Sequence, residues 1–198
     1  ETDHDAANIS CLQELCNIHK ETNNVECLIE IDNPDVLLLF SQTKLDLKGL
    51  KLRCFNRDEL SAAKLLIYDE SGLRLPFLSS EDESSQHLIV VGSSPLSAEI
   101  AKMYLKLAHY PNFLNKGKRS KLTIIDDYPS LNFGKQSNLK DVCHIYEYGK
   151  GTTAVDTFNG KEYEDLLDFE INHICGNIQN DHVREILESI YTSNDHIS

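Results

Sequence analysis

Short apolar runs alternate with segments of helical periodicity along most of the chain. The run HLIVV at His87–Val91 is almost wholly apolar, as expected for a strand that is buried on both faces of a parallel sheet. Strand and helix repeated in this way predict an α/β fold, in which helices cover both faces of a mainly parallel sheet and the crossovers are right-handed. The predicted strands are Val25–Ile31, Leu50–Phe55, His87–Val91, Leu122–Ile125, Val142–Tyr148 and Ile171–Cys175.

Charge and hydrophobicity argue against several classes of partner. The 198 residues include 19 Lys and Arg against 32 Asp and Glu, and the net charge of −13 disfavours binding to nucleic acid and to anionic lipid. No apolar run approaches the roughly 20 residues that span a bilayer, so we expect no direct membrane insertion. Most of the six cysteines fall in predicted strands, where a free thiol behaves as a small hydrophobe, and this favours a reducing, cytoplasmic compartment. Because the sole methionine is Met103 and no signal peptide opens the chain, we expect a piece of a longer protein.

A polar segment divides the chain into two parts. Residues 79–86 (SSEDESSQ) are acidic and lack apolar periodicity, which is typical of a linker. The predicted organisation is therefore one part over residues 1–78, a linker over 79–86, and a second part over 87–198.

The turn after the strand His87–Val91 is the best candidate for a binding site. A strand that ends in glycine and opens a helix is where α/β proteins hold phosphates, because backbone N–H groups point at the anion there. The dinucleotide fingerprint G-x-G-x-x-G falls on Gly92, Ser94 and Ser97, so only its first glycine is present. We take these three residues, with Ser93 between them, as candidate ligand-binding residues.

The next strand adds an acid to this candidate site. It ends in Asp126, at the place where a dinucleotide fold keeps an acid for a ribose hydroxyl, and such an acid disfavours the 2′-phosphate of NADP. The pattern predicts NAD or an adenine nucleotide as the ligand, with Asp127 as a second candidate residue. The alternative is that Asp126 and Asp127 only end a strand and that no cofactor binds.

Four segments carry a resemblance to a known family: DHDAANISCLQEL (Asp3–Leu15), LKLRCFNRDELSAAKLL (Leu50–Leu66), HLIVVGSSPLSAEIAKMYL (His87–Leu105) and GNIQNDHV (Gly176–Val183). Their pattern resembles the RCK or Trk-type (TrkA-N-like) regulatory Rossmann domains of potassium transport, with a degenerate glycine motif. The resemblance covers nearly the whole chain as a pattern of elements.

This resemblance implies a fold and a function. The fold is a Rossmann-like three-layer α/β/α arrangement with strand order 3-2-1-4-5-6, in which residues 87–198 supply strands 1 to 4 and the N-terminal part supplies strands 5 and 6, within one chain or between swapped chains. The function is control of potassium or other cation transport by a ligand-dependent conformational change. The resemblance also implies a homo-oligomer, a channel or transporter module as partner, and Gly176 and Asn177 as further binding residues.

Other functional classes stay open. The chain could be a ligand-free Rossmann scaffold for protein interaction, since two fingerprint glycines are missing. A NAD-dependent oxidoreductase and a serine hydrolase are the less favoured alternatives; Gly92-x-Ser94-x-Leu96 lacks the second glycine of the G-x-S-x-G nucleophile elbow. No set of residues supplies an acid, a base and an electrophile together, so we expect no enzyme and no catalytic residue.

Two further clusters have structural explanations. Neighbours on a strand point to opposite faces, so Cys143 and His144 cannot easily share one ion. His173 and Cys175 share a face of their strand, but the predicted order puts that strand far from Cys143, and we expect no metal site. A basic cluster either steers an anion to the candidate site or forms a solvated loop, and its members are Lys116, Lys118, Arg119 and Lys121.

Overall fold

The computed structural model describes residues 3–18, 25–42, 47, 50–68, 74–126, 143–148, 154–156 and 167–192. The helices are α1 (Asp3–Ile18), α2 (Pro34–Gln42), α3 (Arg57–Ile67), α4 (Pro95–Leu107), α5 (Asn112–Lys116) and α6 (Asp181–Thr192). The strands are β1 (Glu26–Glu30), β2 (Lys51–Phe55), β3 (His87–Val91), β4 (Ser120–Asp126), β5 (Cys143–Tyr148), β6 (Ala154–Asp156) and β7 (Phe169–Cys175). The chain divides into two compact units, Glu1–Lys64 and Leu65–Ser198.

The first unit is built on a two-stranded parallel sheet. Strands β1 and β2 pair from Glu26 opposite Lys51 to Glu30 opposite Phe55. Because side chains alternate across a strand, one face of β1 is exposed while the other, with Ile29, packs into a core. Helices α1 and α2 cover that core, whose buried members are Leu12, Ile29 and Ile31.

A buried carboxylate ties α1 to the turn after β1. Asp5, with 7% of its surface exposed, accepts hydrogen bonds from the N–H groups of Asp32 (2.8 Å) and Asn33 (2.9 Å). The side-chain oxygen of Asn33 in turn accepts from the Asp35 N–H at 2.9 Å and so caps the start of α2. Asp5 belongs to the segment that resembles the RCK family, and in this structure it holds backbone groups in place.

The second unit is built on a five-stranded sheet in the order β3-β4-β7-β5-β6. All described pairings in it are parallel except β5 with β6. Helix α4 packs on one face, where Ala101 and Tyr104 meet Val90, Leu122, Ile124 and Ile171. Helix α6 packs on the other face, where Val183 and Leu187 meet Ile125 and Ile174. The α/β class with a mainly parallel sheet, predicted from the alternation of elements, is confirmed.

The strand order differs from the predicted 3-2-1-4-5-6. Within this chain β1 and β2 form their own sheet instead of serving as strands 5 and 6. Strand β7 was expected beside β3, with β1 on its far side, but it lies between β4 and β5, so neither of its edges is open to β1. Four consecutive residues of β7 are buried, which fits a central strand, but the predicted order also placed this strand centrally. The difference lies in its neighbours, because β7 pairs along its whole length with β4, from Ser120 opposite Phe169 to Asp126 opposite Cys175.

Residues 79–86 are bonded to the second unit. The Asn112 side chain donates hydrogen bonds to the carbonyls of Asp82 (3.1 Å) and Ser84 (2.8 Å), and the Gln86 carbonyl accepts from the Tyr104 hydroxyl at 2.9 Å. The predicted boundaries at 1–78, 79–86 and 87–198 stay a prediction, while the contacts place the division inside α3.

Two further findings concern the length of the helices and the state of the cysteines. Among the described residues no helix is long and apolar enough to span a membrane. Within the described part of the chain, five cysteines are not in disulfides, and these are Cys11, Cys16, Cys27, Cys54 and Cys175.

Candidate functional site

The candidate site lies where β3, β4 and β7 end. Because these neighbouring strands are parallel, their carboxyl ends meet at one edge of the sheet. There the Gly92 N–H donates to the Ile125 carbonyl at 2.9 Å, and the Gly176 N–H donates to the Asp126 carbonyl at 2.7 Å. The structure therefore brings Gly92, Asp126 and Gly176 together at one edge, and the turns that follow β3 and β7 lead into α4 and α6.

The two serines in the fingerprint turn cap the helix. Ser94 is the N-cap of α4, and its Oγ accepts a hydrogen bond from the Ser97 N–H at 3.1 Å while sharing another with the Ser97 Oγ at 2.9 Å. Pro95 occupies the first helical position, where its fixed φ suits the helix. Gly92 has φ of +113°, a conformation that other residues rarely adopt, so this position of the turn suits glycine.

Some of the backbone donors of this turn are already used. The Gly92 N–H is used by the sheet and the Ser97 N–H by the cap, and Pro95 has none. The first N–H groups of a helix have no intrahelical acceptor, so those of Ser94 and Leu96 remain as donors for a ligand. The turn therefore keeps backbone donors for an anion, although Pro95 removes one of them.

A small cavity separates the turn from the sheet. Its volume is about 10 Å³, and Gly92, Ser94, Ser97 and Asp126 line it together with Ser93. A space of this size holds about one water-sized group. The cavity opens to solvent, so it can take one hydroxyl or water oxygen of a ligand whose other groups lie outside.

Asp126 faces this cavity as a buried carboxylate with one oxygen unsatisfied. Only 4% of its surface is exposed, and its Oδ2 lies 3.2 Å from Nε2 of His173, which is 3% exposed. Its Oδ1 is buried and has no hydrogen-bond partner among the described residues. Such a group is costly unless a donor reaches it, so a water or a ligand hydroxyl is the expected partner.

His173 was considered from the sequence only as a metal ligand, and its contact with Asp126 was not predicted. The available signal was alternation: His173 and Cys175 lie on the same face of β7, and Cys175 is in register with Asp126 on β4. The predicted strand order did not place β4 beside β7, so this alternation alone could not predict that His173 lies next to Asp126.

The other predicted site residues have structural roles or lie elsewhere. The Asn177 side-chain oxygen accepts from the Gln179 N–H at 2.9 Å, and its carbonyl accepts from the Asn180 N–H at 2.8 Å, so Asn177 shapes the turn before α6. Asp127 lies outside the described residues.

The residues weighed for hydrolase and metal chemistry are not assembled into such sites. The Ser94 Oγ is paired with Ser97, and no described histidine is recorded on it. In the described part of the chain no group of three or more His, Cys, Asp or Glu residues is placed to hold a metal ion.

The basic cluster lies at the opposite end of the sheet. Lys121, near the start of β4, is 3.7 Å from Glu170, and the Lys116 ammonium lies 3.1 Å from Glu83. Five strand steps separate Lys121 from Asp126, a distance of about 16 Å. The predicted role of this cluster in steering an anion to the site is therefore not supported, and ion pairing explains these two lysines.

Comparison of the chain with protein-family models, with curated proteins and with solved structures finds no match. The resemblance to RCK domains therefore rests on the quoted segments alone.

Proposed function

We propose that this chain is a regulatory domain of the nucleotide-binding type, similar to RCK and Trk-type domains, which binds an adenosine-containing ligand at the edge formed by β3, β4 and β7. The observation that carries the proposal is the buried carboxyl group of Asp126, which has an unsatisfied Oδ1 and belongs to a residue that lines a cavity together with the first turn of α4. Open α/β sheets bind ligands outside the carboxyl ends of their strands, and an acid in this position suits a ribose hydroxyl.

Ligand binding here would act on two helices. The turns after β3 and β7 lead into α4 and α6, which pack on opposite faces of the sheet. A ligand that binds one arrangement of these turns more tightly than another shifts the population toward it. The RCK resemblance supplies the proposed output, which is control of potassium or other cation transport by a cytoplasmic homo-oligomer attached to a channel or transporter.

Thermal unfolding with a panel of ligands tests this function. Adenosine, AMP, ADP, ATP, NAD and NADH are added to the full chain, and at 100 times its dissociation constant a true ligand stabilises by about 2.7 kcal/mol. We expect at least one of the six to raise Tm, and we expect Asp126→Leu to remove that shift.

The matched control is Asp168→Leu. Asp168 also binds a histidine, with His109 Nδ1 2.7 Å from its Oδ2, but it precedes β7 at the amino end of the strand. This variant should keep the ligand-induced shift. Equal loss in both variants, or no shift with any ligand, contradicts the proposed function.

A second candidate function is a ligand-free scaffold for protein interaction. The capped turn and the cavity of about 10 Å³ favour it, because both leave little space for a large ligand. It predicts a flat thermal response to all six ligands.

A further inference from the structure

We infer that two copies of this chain associate through the open edge of β3, which forms an antiparallel pair with the same strand of the second copy. The inference goes beyond the proposed function, because it names the surface through which copies meet and needs no bound ligand. Three observations carry it: the apolar sequence of β3, the direction of its backbone groups, and the charges on the other open strands.

Strand β3 has the sequence of a central strand and the position of an edge strand. Its run HLIVV is almost wholly apolar, which is typical of strands with a neighbour on each side. Among the described strands, however, β3 pairs with β4 alone and stands at the end of the sheet. It carries no Lys, Pro or acidic residue, which are features that protect natural edge strands from pairing with another chain. A second copy on this edge would give β3 the central position that its sequence fits.

The backbone of β3 directs hydrogen-bonding groups to its outer side. The Gln86 carbonyl accepts a hydrogen bond from β4, and the Gly92 N–H donates to the Ile125 carbonyl of β4, so the even-numbered residues face β4. Because the backbone groups of successive residues alternate between the two edges of a strand, those of Ile89 and Val91 point away from β4. Val91 is also 56% exposed, so this end of the edge is accessible.

Pairing of β3 with itself brings no like charges together. A two-fold axis at Ile89 places this residue opposite its own copy and His87 opposite Val91 of the second copy. In this register the two copies of Ile89 form a hydrogen-bonded pair, which exchanges two N–H to carbonyl bonds. His87 is the only titratable side chain of the strand, and its Nε2 lies 2.9 Å from the Thr123 hydroxyl of its own chain.

The other open edges suit a second copy less well. Among the described strands β1 pairs only with β2, and a two-fold axis at Leu28 would set Glu26 against Glu30 of the second copy. For β2, an axis at its middle residue would set Arg53 against its own copy. Strand β6, at the far edge of the five-stranded sheet, is only three residues long, and short edge strands resist association. Charge and length therefore single out β3 as the edge that pairs with itself.

Sedimentation of the full chain over a range of concentrations tests the inference. We expect a species of twice the chain mass to form as the concentration rises, without added ligand. Val91→Pro removes one outward N–H at a position where folded sheets tolerate proline, and it should leave the chain monomeric where the wild type is mostly dimeric. The matched control is Leu28→Pro, at an outward position of β1 that is 67% exposed, and it should keep the wild-type dimer.

Amide hydrogen exchange of the wild-type chain tests the same edge without any variant. When about nine-tenths of the chains are dimeric, the Ile89 N–H should exchange about tenfold more slowly than in the monomer, because only the remaining tenth exposes it. The Leu28 N–H should exchange at the same rate at low and high concentration.

Three results would each overturn the inference. They are a chain that stays monomeric at all concentrations, an Ile89 N–H whose exchange does not depend on concentration, and a dimer that Val91→Pro and Leu28→Pro weaken equally. None of these results bears on the proposed ligand binding, because a ligand raises Tm whether or not the copies associate.

Discussion

The double variant Asp126→Leu/His173→Leu should make the ligand-free protein more stable. In the wild type the Asp126 Oδ1 is buried without a partner, and leaving such a group unsatisfied costs about 1–3 kcal/mol. Replacing both members of the pair removes the unsatisfied oxygen and leaves neither partner unpaired, at the loss of one hydrogen bond worth about 1 kcal/mol. The balance is a gain of about 1 kcal/mol.

For a chain of this size, 1 kcal/mol corresponds to an increase in Tm of about 2–4 °C. Thermal unfolding followed by circular dichroism, without ligand, measures it. Asp168→Asn is the control, and it should lower stability by less than about 1 kcal/mol because its partner His109 is 56% exposed. The two changes should therefore act in opposite directions. A lower Tm for the double variant would refute the reasoning, since it would mean that the pair of Asp126 with His173 contributes more to folding than its unsatisfied oxygen costs.

Three further changes test other parts of the structure. Gly92→Ala should lower the free energy of unfolding by about 1–3 kcal/mol, because a side chain at φ of +113° strains the backbone. Urea unfolding should show a smaller decrease for Gly117→Ala, where φ is +66°. Tyr104→Phe should cost about 1 kcal/mol at pH 8 but reduce the loss of stability on going to pH 11. Burial raises the pKa of the Tyr104 phenol far above its usual value near 10. The contribution of the phenol to the free energy of unfolding is therefore complete below pH 10 and is lost as the pH rises above that. Urea midpoints of the wild type and the variant at pH 8 and pH 11 measure this difference. Asp5→Asn should cost about 1–3 kcal/mol, since one of two backbone N–H groups loses its acceptor, and an unchanged urea midpoint would contradict the role of this carboxylate.

The positions of most elements could be predicted from local sequence. Strands β2, β3 and β4 agree with their predicted ranges to within two residues, because apolar runs between turn residues report local burial. The start of α4 could also be predicted, since Ser before Pro, with Ser three positions later, is a capping pattern.

Strand order could not be predicted in the same way. Which edge of β7 meets which neighbour depends on contacts between residues far apart in sequence, and an apolar strand fits any central position. The His173 contact was missed for this reason: it exists because β4 and β7 are neighbours, and no spacing along the chain indicates it. The position of Asp126 at the end of β4 could be predicted, because it depends on one strand alone.

Amide chemical shifts with and without adenosine test the central claim most directly. We expect the changes to concentrate at residues 92–98, at Asp126 and at Gly176 and Asn177, which meet at the carboxyl edge of the sheet. Residues 116–121, at the amino end of β4, serve as the internal control and should not move. Shifts confined to those control residues, or spectra that are unchanged at saturating adenosine, would contradict a ligand site built around Asp126.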